Sequence, residues 1–304
     1  MLKSMRQICG SPGSQIKDRR RRRLRRKASR EPGVVVVDMA ALSSSTCVTV
    51  TPVPALSDNY MYLLVDEQTK LAAVVDPVDA RAMASAAAAA GATIAMVLTT
   101  HGHWDHAGGN AELAASRPGL AVYGGRGDAV AACTREVWDG DEIALGASTI
   151  RVLSTPCHTQ GHVCFVVDGN VFTGDTMFVS GCGNFNGGSP RQMLDAFDKL
   201  LALPDDTLVW CGHEYTRKNC CFAAYAEPDN DEIRRRLDWA KRAGSLHGGG
   251  KGTVPTTIGA ERACNPFARV DAPAIAAFCP RAGDDRAERM RLVRKGKDDW
   301  GRMR

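Results

Sequence analysis

Ile94-Ala95-Met96-Val97-Leu98-Thr99-Thr100-His101-Gly102-His103-Trp104-Asp105-His106-Ala107-Gly108-Gly109 is the stretch that decides the reading of this chain. Ile94 to Leu98 is a short apolar run of the kind that forms a buried strand. The polar cluster follows it at once, so it sits on a loop at a strand end. In extended backbone, residues two apart face the same side. His101 and His103 can therefore hold one cation together. Asp105 and His106 lie past a turn, free to face a second cation. Gly108-Gly109 lets the chain bend directly into a following helix.

Working outward, other segments end in the same kind of side chain. Thr155-Pro156-Cys157-His158 follows an expected strand at Thr149–Leu153, and His162 stands four residues on. Gly174-Asp175 closes Val171–Thr173, and Cys211-Gly212-His213 closes Leu208–Trp210. Six of the seven histidines fall in these groups. Clustered His and Asp at strand ends point to a metal site. Asp175 has two oxygens and can bridge two ions about 3.5–4 Å apart. The expected ligands are His101, His103, His158 and Asp175 on one ion, and Asp105, His106, Asp175 and His213 on the other. Nitrogen and oxygen donors suit Zn²⁺, with Fe or Mn²⁺ compatible. Paired divalent cations lower the pKa of water between them, so the expected chemistry is hydrolysis, with Asp105 and Asp175 as its catalytic carboxylates. His162 is expected to hydrogen-bond a ligand rather than be one. His247 is expected at the surface.

The rest of the chain reads as α/β. Val48–Val53, Tyr60–Val65 and Leu71–Val75 have strand character, and so do Ala121–Tyr123 and Val163–Val167. Asp79 can cap a helix running to Ala90, which Gly91 ends. Ser189-Pro190 opens another, through Leu201. Strand, helix, strand in alternation is an α/β pattern, and the two strand series could form two stacked sheets. Past Tyr215 the texture turns helical, over Asp229–Arg242, Ala272–Cys279 and Asp284–Arg294. The expected organisation is a basic extension at 1–47, a catalytic domain at 48–218 and a helical domain at 219–304.

The net charge of +5 misleads. Residues 1–33 hold 12 Lys/Arg against 2 Asp/Glu, leaving the remainder with 27 against 32. A mildly acidic body does not suit nucleic-acid binding. The basic run from Lys17 to Lys27 is expected to be disordered, and is read as a solvated tail, a transit peptide or a nuclear address. Neither a membrane span nor a secretory signal is visible. Eleven cysteines without a CxxC suit a reducing compartment and free thiols. The expected location is the cytoplasm, or a mitochondrion or plastid if the basic segment is a transit peptide. A monomer is expected.

These motifs resemble the metallo-β-lactamase superfamily, and within it glyoxalase II, the hydroxyacylglutathione hydrolases. The resemblance is carried by Pro54-Ala55-Leu56-Ser57-Asp58-Asn59-Tyr60, His101 to Asn110, Phe172 to Phe178, Gly181-Cys182-Gly183, Cys211 to Thr216, Asn265-Pro266-Phe267 and Val293 to Asp298. It spans about residues 48–300 and implies an αββα sandwich followed by a helical domain that closes over the substrate. It implies hydrolysis of S-(2-hydroxyacyl)glutathione, chiefly S-D-lactoylglutathione, to D-lactate and glutathione. Tyr215 matches the family's glutathione-contacting aromatic, and Arg294 and Lys297 match its carboxylate-binding pair. Asn184, Phe185 and Asn186 fall on the remaining substrate segment. There the family carries a basic residue and then, two positions on, an aromatic, whereas this chain has Asn184 and Asn186. Losing an exposed charge contact costs about 0–1 kcal/mol, so weaker binding or a modified thiol is expected, with the chemistry intact. The competing reading is another hydrolase of this fold, or a persulfide dioxygenase-like enzyme on a different thiol conjugate. One metal would suffice for the latter, leaving Asp105, His106 and His213 without a purpose.

Overall fold

Alternation along one strand fixes the layering. The computed structural model describes residues 48–303, and in it Tyr60, Tyr62 and Leu64 face one side of their strand while Met61, Leu63 and Val65 face the other. Both sides are buried, so this strand lies inside the molecule with a layer on each face. The expected basic extension at 1–47 lies outside the described residues.

The first sheet runs β1 (Val48–Ala55), β2 (Asn59–Asp66), β3 (Leu71–Val75), then α1 (Ala80–Ala89), β4 (Thr93–Thr99), α2 (Trp104–Ala107), α3 (Asn110–Ser116), β5 (Ala121–Gly125) and β6 (Arg135–Val137). Its strands lie in sequence order. β1, β2 and β3 are antiparallel neighbours, and β3 to β6 are parallel. The second series is β7 (Glu142–Leu145), β8 (Ser148–Ser154), β9 (Val163–Val167), β10 (Asn170–Gly174), the ribbon β11 (Met177–Phe178) and β12 (Gly181–Cys182), α4 (Pro190–Leu201) and β13 (Leu208–Cys211). There follow α5 (Thr216–Ala226), α6 (Asp231–Ala243), β14 (Thr256–Thr257), α7 (Ile258–Cys264), α8 (Pro273–Phe278) and α9 (Arg286–Arg302). The second sheet has the order β14-β13-β10-β9-β8-β7, with β10 and β13 parallel.

The sheets face each other across one apolar layer. Tyr62, Leu64, Val75 and Leu98 from the first meet Val152, Phe165, Phe172 and Trp210 from the second. Met83 and Ala87 of α1 and Leu113 of α3 cover the outer face of the first sheet. Phe197 of α4, Phe222 of α5 and Met290 and Val293 of α9 cover the outer face of the second. The result is an αββα sandwich. The C-terminal helices share that last core with α4 and the second sheet, while β14 returns to extend the sheet's edge beside β13.

Local signals explain the helix starts. Asp79 accepts from the amides of Arg81 and Ala82. Ser189 and Gln192 form a reciprocal capping box, with Pro190 as the first helical residue. Three differences from the sequence reading have physical causes. α6 begins later, because Asn230 caps it. α9 continues well past Arg294. A Cβ on Gly296 would lie 3.0 Å from the Phe278 ring, so glycine lets the helix pack closely there rather than ending it. β6, β7 and β14 are too short to carry periodicity, and neither α5 nor α7 opens with a proline, α5 also lacking a side-chain cap.

Phe172 is fully buried between the sheets, 5.4 Å from the Tyr62 ring and stacked 6.4 Å from Trp210. Phe172→Ala is expected to lower the free energy of unfolding by about 3–5 kcal/mol, read from urea denaturation. A loss below about 1 kcal/mol would show that the inter-sheet layer is held elsewhere.

Candidate metal centre

Several strands deliver their ends to one rim. β4 leads into His101, His103, Asp105 and His106; β8 into His158; β10 into Asp175; β13 into His213. Open α/β sheets characteristically bind ligands outside the carboxyl ends of their strands. Three groups of side chains there offer ligand atoms within 4.8 Å of one another: His101/His103/His158, His101/His106/Asp175 and Asp105/His106/His213.

The outer nitrogens settle which way the rings point. Thr100 Oγ1 donates to Asp76 Oδ2 (2.8 Å), so it accepts from His101 Nδ1 (3.1 Å). His106 Nδ1 donates to Asp76 Oδ2 (2.9 Å), His213 Nδ1 to Asp58 Oδ1 (2.8 Å) and His158 Nδ1 to the Asn184 carbonyl (3.1 Å). Each of these four imidazoles therefore turns Nε2 inward with its lone pair bare, as metal-ligating histidines do. His103 Nδ1 lies 3.0 Å from His101 Nε2 and 3.1 Å from His158 Nε2. On the other side, His106 Nε2 and His213 Nε2 are 3.2 Å apart, and Asp105 Oδ2 is 3.4 Å from His213 Nε2.

Asp175 stands between the two halves. Its Oδ2 is 3.4 Å from His158 Nε2, and its Oδ1 is 3.4 Å from both His106 Nε2 and His213 Nε2. Oδ1 is buried and has no hydrogen-bond partner. Only glycine fits behind it, since a Cβ on Gly212 would fall 2.6 Å from that oxygen. Crowded imidazoles with inward lone pairs around an orphaned carboxylate oxygen fit a cation.

The protonation tendencies show a centre that favours positive charge, either a proton on His106 or a cation in its place. Burial opposes charging of His106, yet the carboxylates of Asp175, Asp76 and Asp105 raise it to about 9. Burial likewise opposes ionisation of Asp175, but His106, His213 and His101 hold it well below the usual carboxylate range. Burial pushes His101 and His158 down, towards the neutral form that a ligand requires. The cluster stabilises positive charge at its centre.

Residues outside the expected ligand set hold these groups in place. Asp76 also accepts from the Thr100 amide at 2.7 Å. Asn59 Nδ2 donates to Asp105 Oδ2 at 3.0 Å. Asp128 Oδ2 accepts from the Gly102 amide, between His101 and His103, and from Thr159 Oγ1, beside His158. Sequence reasoning missed these carboxylates; the only local signal was Asp76 breaking a strand before Pro77. His162 Nε2 accepts the Asp175 amide at 3.2 Å, and its Nδ1 faces Thr155 and Thr176. The ring thus supports Asp175, as expected for a residue behind a ligand candidate. His247 departs from its expected surface place: it is half-buried, with Nε2 on the carbonyls of Ala55 and Asn59.

The remaining candidate residues lie around the rim. Tyr215 stacks on His213 at 4.8 Å, nearly coplanar. Arg294 Nη1 donates to the Cys182 carbonyl (3.1 Å), and Lys297 Nζ to Asn219 Oδ1 (2.6 Å). Asn184 and Asn186 are exposed and Phe185 half-buried. Burial lifts the thiols of Cys157 and Cys182 to about 12 and about 11, so neither is a ready nucleophile. No disulfide joins the described cysteines.

The chain is similar to known proteins over most of its length. The metallo-beta-lactamase superfamily model matches residues 57–213, and the model for the hydroxyacylglutathione hydrolase C-terminus matches residues 214–300. A protein of Arabidopsis thaliana named hydroxyacylglutathione hydrolase cytoplasmic is 46% identical over 260 residues, 82% of this chain and 97% of that protein. Among solved structures, ETHE1 from Myxococcus xanthus superposes with a TM-score of 0.59 at 27% identity, covering 81% of this chain and 89% of its own. A metallo-beta-lactamase from Staphylococcus aureus shares the fold, with a TM-score of 0.57 at 22% identity over 83% of this chain and 73% of its own.

Asp76→Asn removes the charge that orients His106 and the Thr100–His101 pair. Metal affinity is expected to fall about 10- to 100-fold, measured by chelator competition. Unchanged affinity would detach Asp76 from the centre.

Proposed function

The chain belongs to the metallo-β-lactamase superfamily and, within it, to the hydroxyacylglutathione hydrolases, and from that premise we propose how its site works. The enzyme is a glyoxalase II. It hydrolyses S-(2-hydroxyacyl)glutathione, with S-D-lactoylglutathione as the main substrate and D-lactate and glutathione as products. It binds divalent metal through its His/Asp cluster. The finer reading is two ions, most simply Zn²⁺: one on His101, His103, His158 and Asp175, the other on Asp105, His106, Asp175 and His213. The observation that carries it is Asp175, whose two oxygens face opposite halves of the cluster while one of them is buried without a hydrogen-bond partner.

Bound there, the cations would polarise the thioester carbonyl and bring the pKa of water down towards about 7. Asp175 keeps the two halves in register. Asp105, fixed by Asn59, orients the attacking water and accepts its proton. The expelled thiolate is a good leaving group, so no strong acid has to stand beside it. Tyr215, Asn184, Phe185 and Asn186 lie where the glutathione part would run, with Arg294 and Lys297 for its terminal carboxylate. The C-terminal segment 219–304 is then the part that covers the substrate, against the catalytic segment 48–218. A monomer in the cytoplasm is the simplest setting, in line with the name of the Arabidopsis thaliana relative, with a mitochondrion or plastid the alternative if the basic segment is a transit peptide. Among the described residues no helix is long and apolar enough to cross a membrane.

Assay of the purified protein on S-D-lactoylglutathione, with a β-lactam and glutathione persulfide as controls, should show turnover of the thioester alone. Metal analysis should return two equivalents. Asp175→Ala should abolish hydrolysis and lose one equivalent; full activity in that variant would reject the bridging role.

Lys297 supplies a pH test. Burial, and then the Arg294 charge, lower its ammonium to about 7. The carboxylate-binding form is therefore nearly complete only about one pH unit below 7, half present at about pH 7, and lost as pH rises further. KM is expected to climb above about pH 7, while Lys297→Arg, charged throughout, flattens that rise. A KM that stays level from pH 6 to 9 in the wild type would remove Lys297 from substrate binding.

A further inference from the structure

The hairpin turn between β1 and β2 is three residues, Leu56-Ser57-Asp58, and Leu56 sits in the left-handed region at φ +50°. A leucine holds that conformation at a cost, so something must hold the turn. The turn matters because its last residue and the first residue of β2 reach the candidate centre. Asp58 Oδ1 receives His213 Nδ1 at 2.8 Å, and Asn59 Nδ2 binds both the carboxylate and the carbonyl of Asp105. Both targets belong to the same half of the cluster, Asp105/His106/His213.

The residue that closes the turn comes from far along the chain. His247 lies in the short helical turn Leu246–Gly248, on the loop between α6 and β14. Its Nε2 is 3.0 Å from the Ala55 carbonyl and 2.9 Å from the Asn59 carbonyl, the two stems of the hairpin. Both are acceptors, so Nε2 carries the hydrogen and one N–H spans the mouth of the turn. Ser245 Oγ, 3.3 Å from Nδ1, favours that tautomer. The imidazole also packs 5.5 Å from the Tyr60 ring, whose hydroxyl donates to Glu214, the residue after His213.

We propose that His247 is a positioning residue for one half of the metal centre: by clamping Ala55 and Asn59 it sets Asp58 and Asn59, which orient His213 and Asp105. The other half, His101/His103/His158, is braced by Asp128 and Asn184 and makes no use of this turn. The proposal rests on the two-cation reading. It goes further in making the two sites separable through a residue that touches neither.

The test is stepwise Zn²⁺ binding to the full chain, by chelator competition, with kcat, KM and the melting temperature of the metal-free protein. His247→Ala is expected to weaken the second equivalent about tenfold, leave the first within about twofold, and lower kcat while KM holds. His247→Gln, which returns an N–H donor near the Nε2 position, should recover most of the loss. A merely structural role would lower the melting temperature and leave both affinities unchanged, and that result overturns the proposal, as does equal weakening of both equivalents. Two tight equivalents in wild type and His247→Ala alike overturn it while sparing the two-cation reading. A wild type that takes up only one equivalent overturns both.

Discussion

A carboxylate buried beside imidazoles, with one oxygen that no donor reaches, is the constraint on which this structure turns. Desolvating a charge is expensive unless another charge or a metal compensates it. Asp175 is compensated only by the nitrogens around it. Those rings in turn are held with their lone pairs inward by acceptors on their far side. Each outward hydrogen bond therefore contributes indirectly to the electrostatics at the centre.

The sandwich makes that arrangement possible. Parallel pairing of β10 with β13 sets Gly174 beside Cys211, so Asp175 and His213 emerge next to each other. Parallel pairing of β3 with β4 brings Val75 level with Leu98, which puts Asp76 within reach of Thr100 and His106. The apolar layer of Tyr62, Phe165, Phe172 and Trp210 locks the sheets together beneath. A shift of either sheet by one residue would turn these side chains to the wrong face.

The helices behind the second sheet bring the cations Arg294 and Lys297 towards the same rim. Lys297 is half-buried against Asn219, and desolvation of its ammonium, then the neighbouring Arg294 charge, make its proton easier to lose. Arg294 meets the carbonyl of Cys182, two residues before Asn184, whose own carbonyl holds His158. Arg294 and His158 thus rest on one short segment of chain. Asn184 and Asn186 are the exposed positions of that segment.

By itself the sequence determined the α/β alternation, the two strand series and the His and Asp residues at their ends, because these are written in local spacing; the αββα stacking entered only as what the family resemblance implies. The apolar run Tyr60–Val65 marks a strand, and a His or Asp directly after an apolar run lands at a strand end whatever the strand's neighbours. Capping residues such as Asp79 and Ser189 act within three residues and were legible for the same reason. Tertiary structure alone decided what each ring rests on. Asp58 pairs with His213 across 155 positions, and His247 reaches Ala55 across 192. No local pattern records such distances, because hydrogen bonds between distant segments exist only once the sheets have stacked. That is why His247 reads as a surface residue in the sequence and becomes a clamp in the fold.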